Sequence, residues 1–132
     1  MEEIVREVYE ELGPGYSEAV YHNALEVALR CHGVQYETER IIPVYYRGHV
    51  VGNMRADIVI KNPSMVLELK SVRTLTESNR NQIRAYLKLL HVPHGLLINF
   101  GDELCMERFY EMPAQAPVAV PYTVQGHETP PR

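Results

Sequence analysis

Residues 55–71 read RADIVIKNPSMVLELKS, and this stretch decides how the chain folds. Its two apolar runs predict short strands at 55–60 and 65–70, joined by a Lys-Asn-Pro-Ser turn. Side chains alternate between the two faces of a strand, so Glu68 and Lys70 point to one face while the apolar residues of the same strand point to the other. The pattern predicts a hairpin whose second strand has one apolar and one charged face.

Charged side chains interrupt these apolar strands at three positions, namely Asp57 in the first strand and Glu68 and Lys70 in the second. If the strands pair as a hairpin, Asp57 lies across from the face that carries the other two. Charges inside apolar strands are costly unless they are matched, so the arrangement predicts a divalent-metal site with an ammonium beside it. The alternative is a pair of solvated carboxylates with a weak surface salt bridge to Lys70.

The rest of the chain predicts a sheet flanked by helices. Apolar residues at helical spacing and the Gly13-Pro14-Gly15 break indicate two helices before the strands, and a capping box at 74–77 indicates one helix after them. An Arg47-Gly48 turn indicates a further hairpin. The predicted helices are 2–12, 17–32 and 74–91, and the predicted strands are 34–38, 41–46, 49–51, 55–60, 65–70, 95–100 and 104–110. This order, ααβββββαββ, is typical of an α/β fold with a mixed sheet.

The length of 132 residues suits one domain, which we place at 1–110. From residue 111 the composition changes, because five of the nine prolines lie in 111–132 and no helical period continues. This segment is predicted to be an extended or disordered tail.

Composition and missing motifs exclude several classes of protein. The 13 Lys and Arg residues against 17 Asp and Glu residues give a net charge of −4, which argues against tight non-specific duplex binding by bulk charge. No apolar run approaches the ~18 residues that span a bilayer, and the charged N-terminus is unlike a signal peptide. The two cysteines show no CxxC spacing, the histidines lack zinc-ligand spacing, and there is no P-loop, GxGxxG or GxSxG. We therefore expect no membrane association and an intracellular location, which is cytoplasmic, or nuclear if the source is eukaryotic or viral.

Two motifs connect the charged positions to a known superfamily. Asp57 is followed eleven residues later by Glu68-Leu69-Lys70, which resembles the D…(D/E)xK core of the PD-(D/E)XK nucleases; Ala56 stands where that core often has proline. Gly15-x-x-Glu18-x-x-Tyr21 resembles the signature of the GxxExxY family in the same superfamily. Flanking segments that share this resemblance are Glu11-Leu12-Gly13-Pro14-Gly15 and Leu96-Leu97-Ile98-Asn99-Phe100. The similarity covers residues 4–110.

The resemblance implies a restriction-endonuclease-like fold and a site for Mg²⁺ or Mn²⁺. It implies as metal ligands the carboxylates of Asp57, Glu68 and Glu18 and the backbone carbonyl of Leu69. Magnesium takes oxygen ligands and keeps several waters, so such a set suffices. The resemblance also implies that Lys70 holds or deprotonates the attacking water. Asp57, Glu68, Lys70 and Glu18 are thus the expected catalytic residues.

A supporting role is expected for Tyr21, which lies on the face of Glu18 three residues along the same helix. Packing of Tyr21 would fix Glu18 in place. The helix dipole alone also explains an acidic residue at a helix N-terminus, so both interpretations of Glu18 stay open.

Nucleic-acid contacts are expected from the helix after the ExK strand. Gln82-x-x-x-Tyr86 is similar to the QxxxY element of RecB-type exonucleases, so Gln82 could reach a phosphate or a ligand carboxylate, and Tyr86 could orient the lysine or a sugar-phosphate. Residues at the edge of a core need no such role. Basic residues every four positions form a stripe that suits phosphate contacts and equally suits a solvated face. These residues are Arg80, Arg84 and Lys88, with Arg73 beside them.

The function expected from these observations is that of a Mg²⁺-dependent nuclease that hydrolyses phosphodiester bonds, with DNA as the favoured substrate, by in-line attack of water. The alternative is a catalytically silent protein of the same fold that binds nucleic acid or a protein partner. A metal-dependent hydrolase of RNA or small phosphodiesters is a third, weaker option. A homodimer also stays open, because pairing would extend the reach of so small a core along a duplex.

Overall fold

One five-stranded sheet carries three helices in a computed structural model of the chain, which describes residues 1–111. The elements are α1 (Glu2–Leu12), α2 (Glu18–Cys31), β1 (Tyr36–Tyr46), β2 (His49–Lys61), β3 (Ser64–Lys70), α3 (Glu77–Leu90), β4 (His94–Phe100) and β5 (Leu104–Tyr110). The strands lie in the order β1-β2-β3-β4-β5; only β3 and β4 are parallel, and α3 makes the crossover between them. The predicted α/β class with a mixed sheet is confirmed. Apart from Glu111, the predicted tail lies outside the described residues.

Two long strands replace four of the predicted ones. The segments predicted at 34–38 and 41–46 belong to β1, and those at 49–51 and 55–60 belong to β2, so the order is ααβββαββ. The two strands pair from Tyr36↔Ile60 to Tyr46↔His49, so cross-strand hydrogen bonds keep the backbone extended through positions whose polarity suggested a break. Local irregularities remain at Glu39, where φ is 52°, and between Val44 and Tyr45, where the register shifts.

The helices cover both faces of the sheet. α1 and α2 lie on one face, and the buried residues of this layer are Val5, Val8, Tyr21, Leu25, Ala28, Leu29, Ile58, Ile60, Leu67, Leu69, Leu96, Ile98 and Phe100. α3 covers the other face through Ile83 and Leu87. A Cβ atom at Gly95 would lie 3.0 Å from the Ile83 side chain, so α3 comes this close to β4 because position 95 has no side chain. None of the helices within residues 1–111 is long and apolar enough to cross a bilayer.

Side-chain caps define where the helices begin. Ser17 caps α2 as predicted, because its Oγ accepts a hydrogen bond from the Val20 N–H at 3.4 Å. The capping box predicted at 74–77 is wrong by two residues. Thr76 Oγ1 accepts from the Asn79 N–H at 3.2 Å, and Asn79 Oδ1 accepts from the Thr76 N–H at 3.0 Å. Asparagine serves here because the third helical position needs only an acceptor oxygen that reaches back to the cap.

Candidate active site

The predicted carboxylates lie where β2 and β3 separate. The ladder between these strands ends at the Ile58↔Leu67 pair, one step before Asp57 and Glu68. In place of a ladder bond, Asp57 Oδ2 accepts a hydrogen bond from the backbone N–H of Leu69 at 2.9 Å. A side-chain carboxylate thus substitutes for the β2 backbone at this point, and the sheet opens next to it.

Glu68 is the most deeply buried charged residue of this opening, at 3% exposure. Its Oε2 lies 3.7 Å from Lys70 Nζ, while its Oε1 is buried and has no hydrogen-bond partner within residues 1–111. Burial and the negative charge of Asp57 raise the pKa of Glu68 to about 8, and Lys70 offsets only part of that rise. A buried carboxylate with an unsatisfied oxygen is unfavourable, so this group would gain from a cation.

The pKa of Asp57 is raised as well. Burial raises its pKa, and the hydrogen bond from Leu69 together with the charges of His22 and Lys70 lowers it in part. Because the charge of Asp57 also raises the pKa of Glu68, the two carboxylates repel each other when both are ionised. Such pairs of perturbed acids are typical of functional sites, although ion-pair networks also produce them.

Glu18 approaches this pair from the first turn of α2. Although it lies at the surface, partial desolvation and the charge of Asp57 raise its pKa, while Lys70 and His22 lower it. Within residues 1–111, however, no group of three His, Cys, Asp or Glu side chains is arranged to hold a metal ion. The structure therefore brings Glu18 into the electric field of the pair without making it a third carboxylate at ligand distance.

Tyr21 fixes the turn that leads into Glu18. Its hydroxyl donates to the Gly13 carbonyl at 2.6 Å and accepts from the Tyr16 N–H at 3.3 Å. Its ring stacks on Phe100 with centroids 4.4 Å apart. Tyr21 is fully buried and holds the turn before α2, and its support of Glu18 stays a prediction.

Two further polar residues near the site had no predicted role. His22 Nε2 lies 2.8 Å from a carboxylate oxygen of Glu26, and the imidazole is largely buried beside Glu18 and Asp57. Buried Asn99 holds the chain after Lys70, because it bonds both the N–H and the C=O of Val72 at 2.9 Å. Two features of the sequence could have indicated these residues: His22 lies four residues after Glu18 on the same helix, and Asn99 is a polar residue inside an apolar strand.

The predicted contact between Tyr86 and a nucleic acid needs correction. Tyr86 is 1% exposed, and its hydroxyl donates to the Arg55 carbonyl at 2.6 Å. Burial, and next the charges of Glu68 and Asp57, raise the pKa of Tyr86. Tyr86 therefore ties α3 to β2 beside the two carboxylates, and the half-buried Gln82 lies next to it.

The predicted basic stripe on α3 is largely paired with acids. Arg80 makes two hydrogen bonds to Glu107, at 2.8 and 3.0 Å. Arg84 donates to Glu77 at 2.9 Å and lies over the Phe109 ring. Lys88 and Arg73 are exposed, and no acid pairs with either of them within residues 1–111. This arrangement is that of a salt-bridged helix face, and phosphate contact by the stripe stays a prediction.

Comparison with known proteins agrees with this geometry. The family model described as the PD-(D/E)XK nuclease superfamily matches residues 1–111. A solved structure described as the crystal structure of SSO0001 is 26% identical, with a TM-score of 0.58, over 70% of this chain and 49% of that chain. The chain thus spans about half the length of that solved protein. No curated protein matches the sequence. Because the family match takes in every described residue, including both strands that carry the carboxylates, the chain belongs to the PD-(D/E)XK nuclease superfamily.

Proposed function

We propose that this chain is a metal-dependent nuclease that hydrolyses phosphodiester bonds in DNA with Mg²⁺ or Mn²⁺. The observation that carries the proposal is Glu68, a carboxylate at 3% exposure with an oxygen that no group in residues 1–111 hydrogen-bonds. A purely structural ion pair would be expected to satisfy both oxygens. Membership of the superfamily supports the same function.

The oxygen atoms around the opening fit a small divalent ion. Asp57 and Glu68 supply carboxylates, and the Leu69 N–H faces Asp57. The N–H and C=O of one strand residue face the same neighbour, so the Leu69 carbonyl also faces the opening. Magnesium needs only one or two carboxylates, because it keeps waters and takes phosphate oxygens. Glu18 would then act through a water molecule.

The chemistry follows from this set of groups. A bound divalent ion would supply Lewis-acid polarisation of the phosphoryl oxygen and acidify a coordinated water. Lys70 holds an ammonium 3.7 Å from Glu68 at 19% exposure, where it can orient a water and offset the negative charge that grows on the phosphoryl oxygens. His22, held by Glu26, adds a second group that can carry positive charge near Asp57.

Cleavage of supercoiled plasmid and linear duplex DNA tests the proposal. The wild type is compared with Asp57→Ala and Lys70→Ala in Mg²⁺, Mn²⁺ and EDTA. Asp102→Ala and Lys61→Ala are matched controls, because both side chains are exposed and lie outside the opening. We expect cleavage only with metal, and a loss on the order of 10²-fold or more in the two site variants. Equal cleavage by all five proteins would refute the proposal.

Calorimetric titration with Mn²⁺ separates the nuclease from a silent protein of the same fold. The nuclease requires Mn²⁺ binding by the wild type and its loss in Asp57→Ala. No binding, or binding that Asp57→Ala leaves unchanged, would favour the silent interaction protein.

A further inference from the structure

The distal parts of β1 and β2 form a two-stranded arm, residues 40–56, which pairs with no third strand within residues 1–111. β3 pairs with β2 only from Ile58 to Lys61, whereas β1 and β2 stay paired out to Tyr46↔His49. About seven residues on each strand thus extend beyond the rest of the sheet, a reach of about 20 Å at ~3.3 Å per residue. The base of the arm is part of the core, because Ile42 and Ala56 are buried in one cluster with Tyr86 and Leu87 of α3. From 43 to 53 the arm has no buried residue, and a two-stranded ribbon is at best marginally stable alone, so this distal part is suited to contact with a partner.

Large apolar side chains cover the arm and face solvent. Their exposed fractions are 60% for Ile41, 62% for Tyr45, 60% for Tyr46, 56% for Val50 and 61% for Val51. Tyr45 and Tyr46 are neighbours in one strand, so these exposed apolar side chains are spread over both faces of the arm. A cluster of large exposed apolar side chains marks an interaction site more often than a free surface.

The charge of the arm is opposite to that of the whole chain. None of the 17 acidic residues lies in residues 40–56, which hold Arg40, Arg47, His49 and Arg55. The chain as a whole has a net charge of −4. A cationic, aromatic arm on an acidic protein is complementary to a polyanion that carries apolar surfaces.

These arginines remain available to a partner. Arg47 lies over the Tyr46 ring at 5.3 Å and pairs with no acid within residues 1–111. Arg55 Nη1 lies 3.8 Å from Glu39 Oε1, and Arg40 Nη1 lies 3.5 Å from Glu37 Oε2. The four side chains of these two pairs are 38% to 63% exposed. Exposed pairs of this length contribute little, so a phosphate can replace the carboxylate at small cost.

We propose that the arm is a duplex-DNA-binding element that enters the major groove next to the scissile phosphate. This inference rests on the proposed nuclease function and adds the form of the substrate. The major groove of B-DNA is about 12 Å wide and admits a two-stranded ribbon. The arginines would contact phosphates or guanine edges, and the apolar side chains would contact base edges and thymine methyl groups. The deep, narrow major groove of duplex RNA does not admit such a ribbon.

The base of the arm is anchored at the carboxylates. Arg55 lies two residues before Asp57, and Tyr86 holds the Arg55 carbonyl at 2.6 Å. A duplex gripped by the arm is therefore held at a fixed distance from the opening between β2 and β3. The arm positions the substrate and takes no part in the chemistry.

A second copy of this chain fits the arm less well. Two arms brought together would repel through their arginines. The outer edge of β1 pairs with no strand within residues 1–111. Backbone pairing along this edge is also hindered by Pro43, which lacks an N–H and is the kind of residue that protects edge strands.

Binding measured without cleavage tests the arm. The full chain in EDTA is titrated against fluorescein-labelled 20-bp duplex DNA, single-stranded DNA and duplex RNA by fluorescence anisotropy between 50 and 200 mM salt. The variants are Arg47→Ala and Tyr45→Ser. The matched controls are Arg6→Ala on α1 and Val27→Ser on α2, which are exposed residues outside the arm. Thermal unfolding verifies that each protein is folded.

We expect the wild type to prefer duplex DNA and each arm variant to bind it at least about fivefold more weakly. Arg47→Ala should also reduce the slope of log K against log salt by about 0.9 if the lost contact is to phosphate. The controls should bind as the wild type does. Unchanged binding in both arm variants would overturn the inference, as would equal affinity for duplex RNA. So would a wild-type dimer that the arm variants dissociate, seen by sedimentation, while their affinity for duplex DNA stays unchanged.

The two proposals fail in different ways. If the wild type never cleaves DNA but its binding depends on the arm, the nuclease proposal fails and the arm stands as a binding element. If cleavage depends on Asp57 and metal while the arm variants bind and cleave normally, the proposal for the arm fails and the nuclease proposal stands.

Discussion

Replacing Glu68 with glutamine should stabilise the metal-free protein at alkaline pH while it removes the site for a divalent ion. In the wild type, burial and the charge of Asp57 raise the pKa of Glu68 from the ordinary 4.5 to about 8. Glutamine has almost the same shape and cannot ionise. Any pH-dependent difference in stability between the two proteins therefore reports the cost of the buried charge.

The sign and size follow from the two pKa values. Because the folded protein binds this proton more tightly than the unfolded chain, the free energy of unfolding falls as pH rises from about 4.5 to about 8. Below that window the carboxyl is protonated in both states and costs nothing; above it the folded state bears the full cost. At 1.36 kcal/mol per pKa unit the cost is at most about 5 kcal/mol. Asp57 and Glu18 add a change of the same sign, so only the difference between variant and wild type isolates Glu68.

Urea unfolding in EDTA at several pH values between 5 and 9 is the assay. Glu68→Gln should match the wild type near pH 5 and exceed it by several kcal/mol at pH 9. Glu10→Gln, at an exposed position on α1, should differ from the wild type by the same small amount at every pH. Added Mn²⁺ at 100 times its Kd should stabilise the wild type by about 2.7 kcal/mol and leave Glu68→Gln unchanged. A Glu68→Gln protein that is less stable than the wild type at pH 9, or equally offset at every pH, would refute the reasoning.

Three further substitutions test the surroundings of the site by urea unfolding. Tyr21→Phe keeps the stacking on Phe100 but leaves the Gly13 carbonyl without its partner, so it should cost about 1–2 kcal/mol; no loss would mean that water replaces the hydroxyl. Asn99→Leu removes both hydrogen bonds to Val72 and should lower the free energy of unfolding by about 2–4 kcal/mol. The control Asn23→Leu, at an exposed site, should lower it little. Equal effects of the two substitutions would contradict the role of Asn99. Arg80→Ala breaks a partly exposed ion pair and should lower the free energy of unfolding by under about 1 kcal/mol. Its affinity for duplex DNA, measured by anisotropy, should stay unchanged. Weaker DNA binding would instead support the predicted phosphate contact.

Local sequence patterns correctly predicted the structural features that depend only on neighbouring residues. Strand alternation placed Glu68 and Lys70 on one face, and they lie 3.7 Å apart. The Arg47-Gly48 turn and the Ser17 cap formed as predicted, because a turn or a cap depends on a few adjacent residues. The hairpin at the tip of the arm was predicted, but the continuation of its strands into β1 and β2 was not. Its strands were divided at polar positions, and only the pairing of β1 with β2 holds them together.

The sequence by itself determined the fold class, the superfamily and the acids and lysine of the opening, because these depend on residue type, alternation and short spacing. Tertiary structure alone decided that Asp57 accepts a hydrogen bond from the Leu69 N–H, that Tyr86 is buried and that Glu107 pairs with Arg80. Each of these contacts joins residues at least 12 positions apart. Their formation depends on how α3 and the neighbouring strands pack, and no pattern within a short window contains that information.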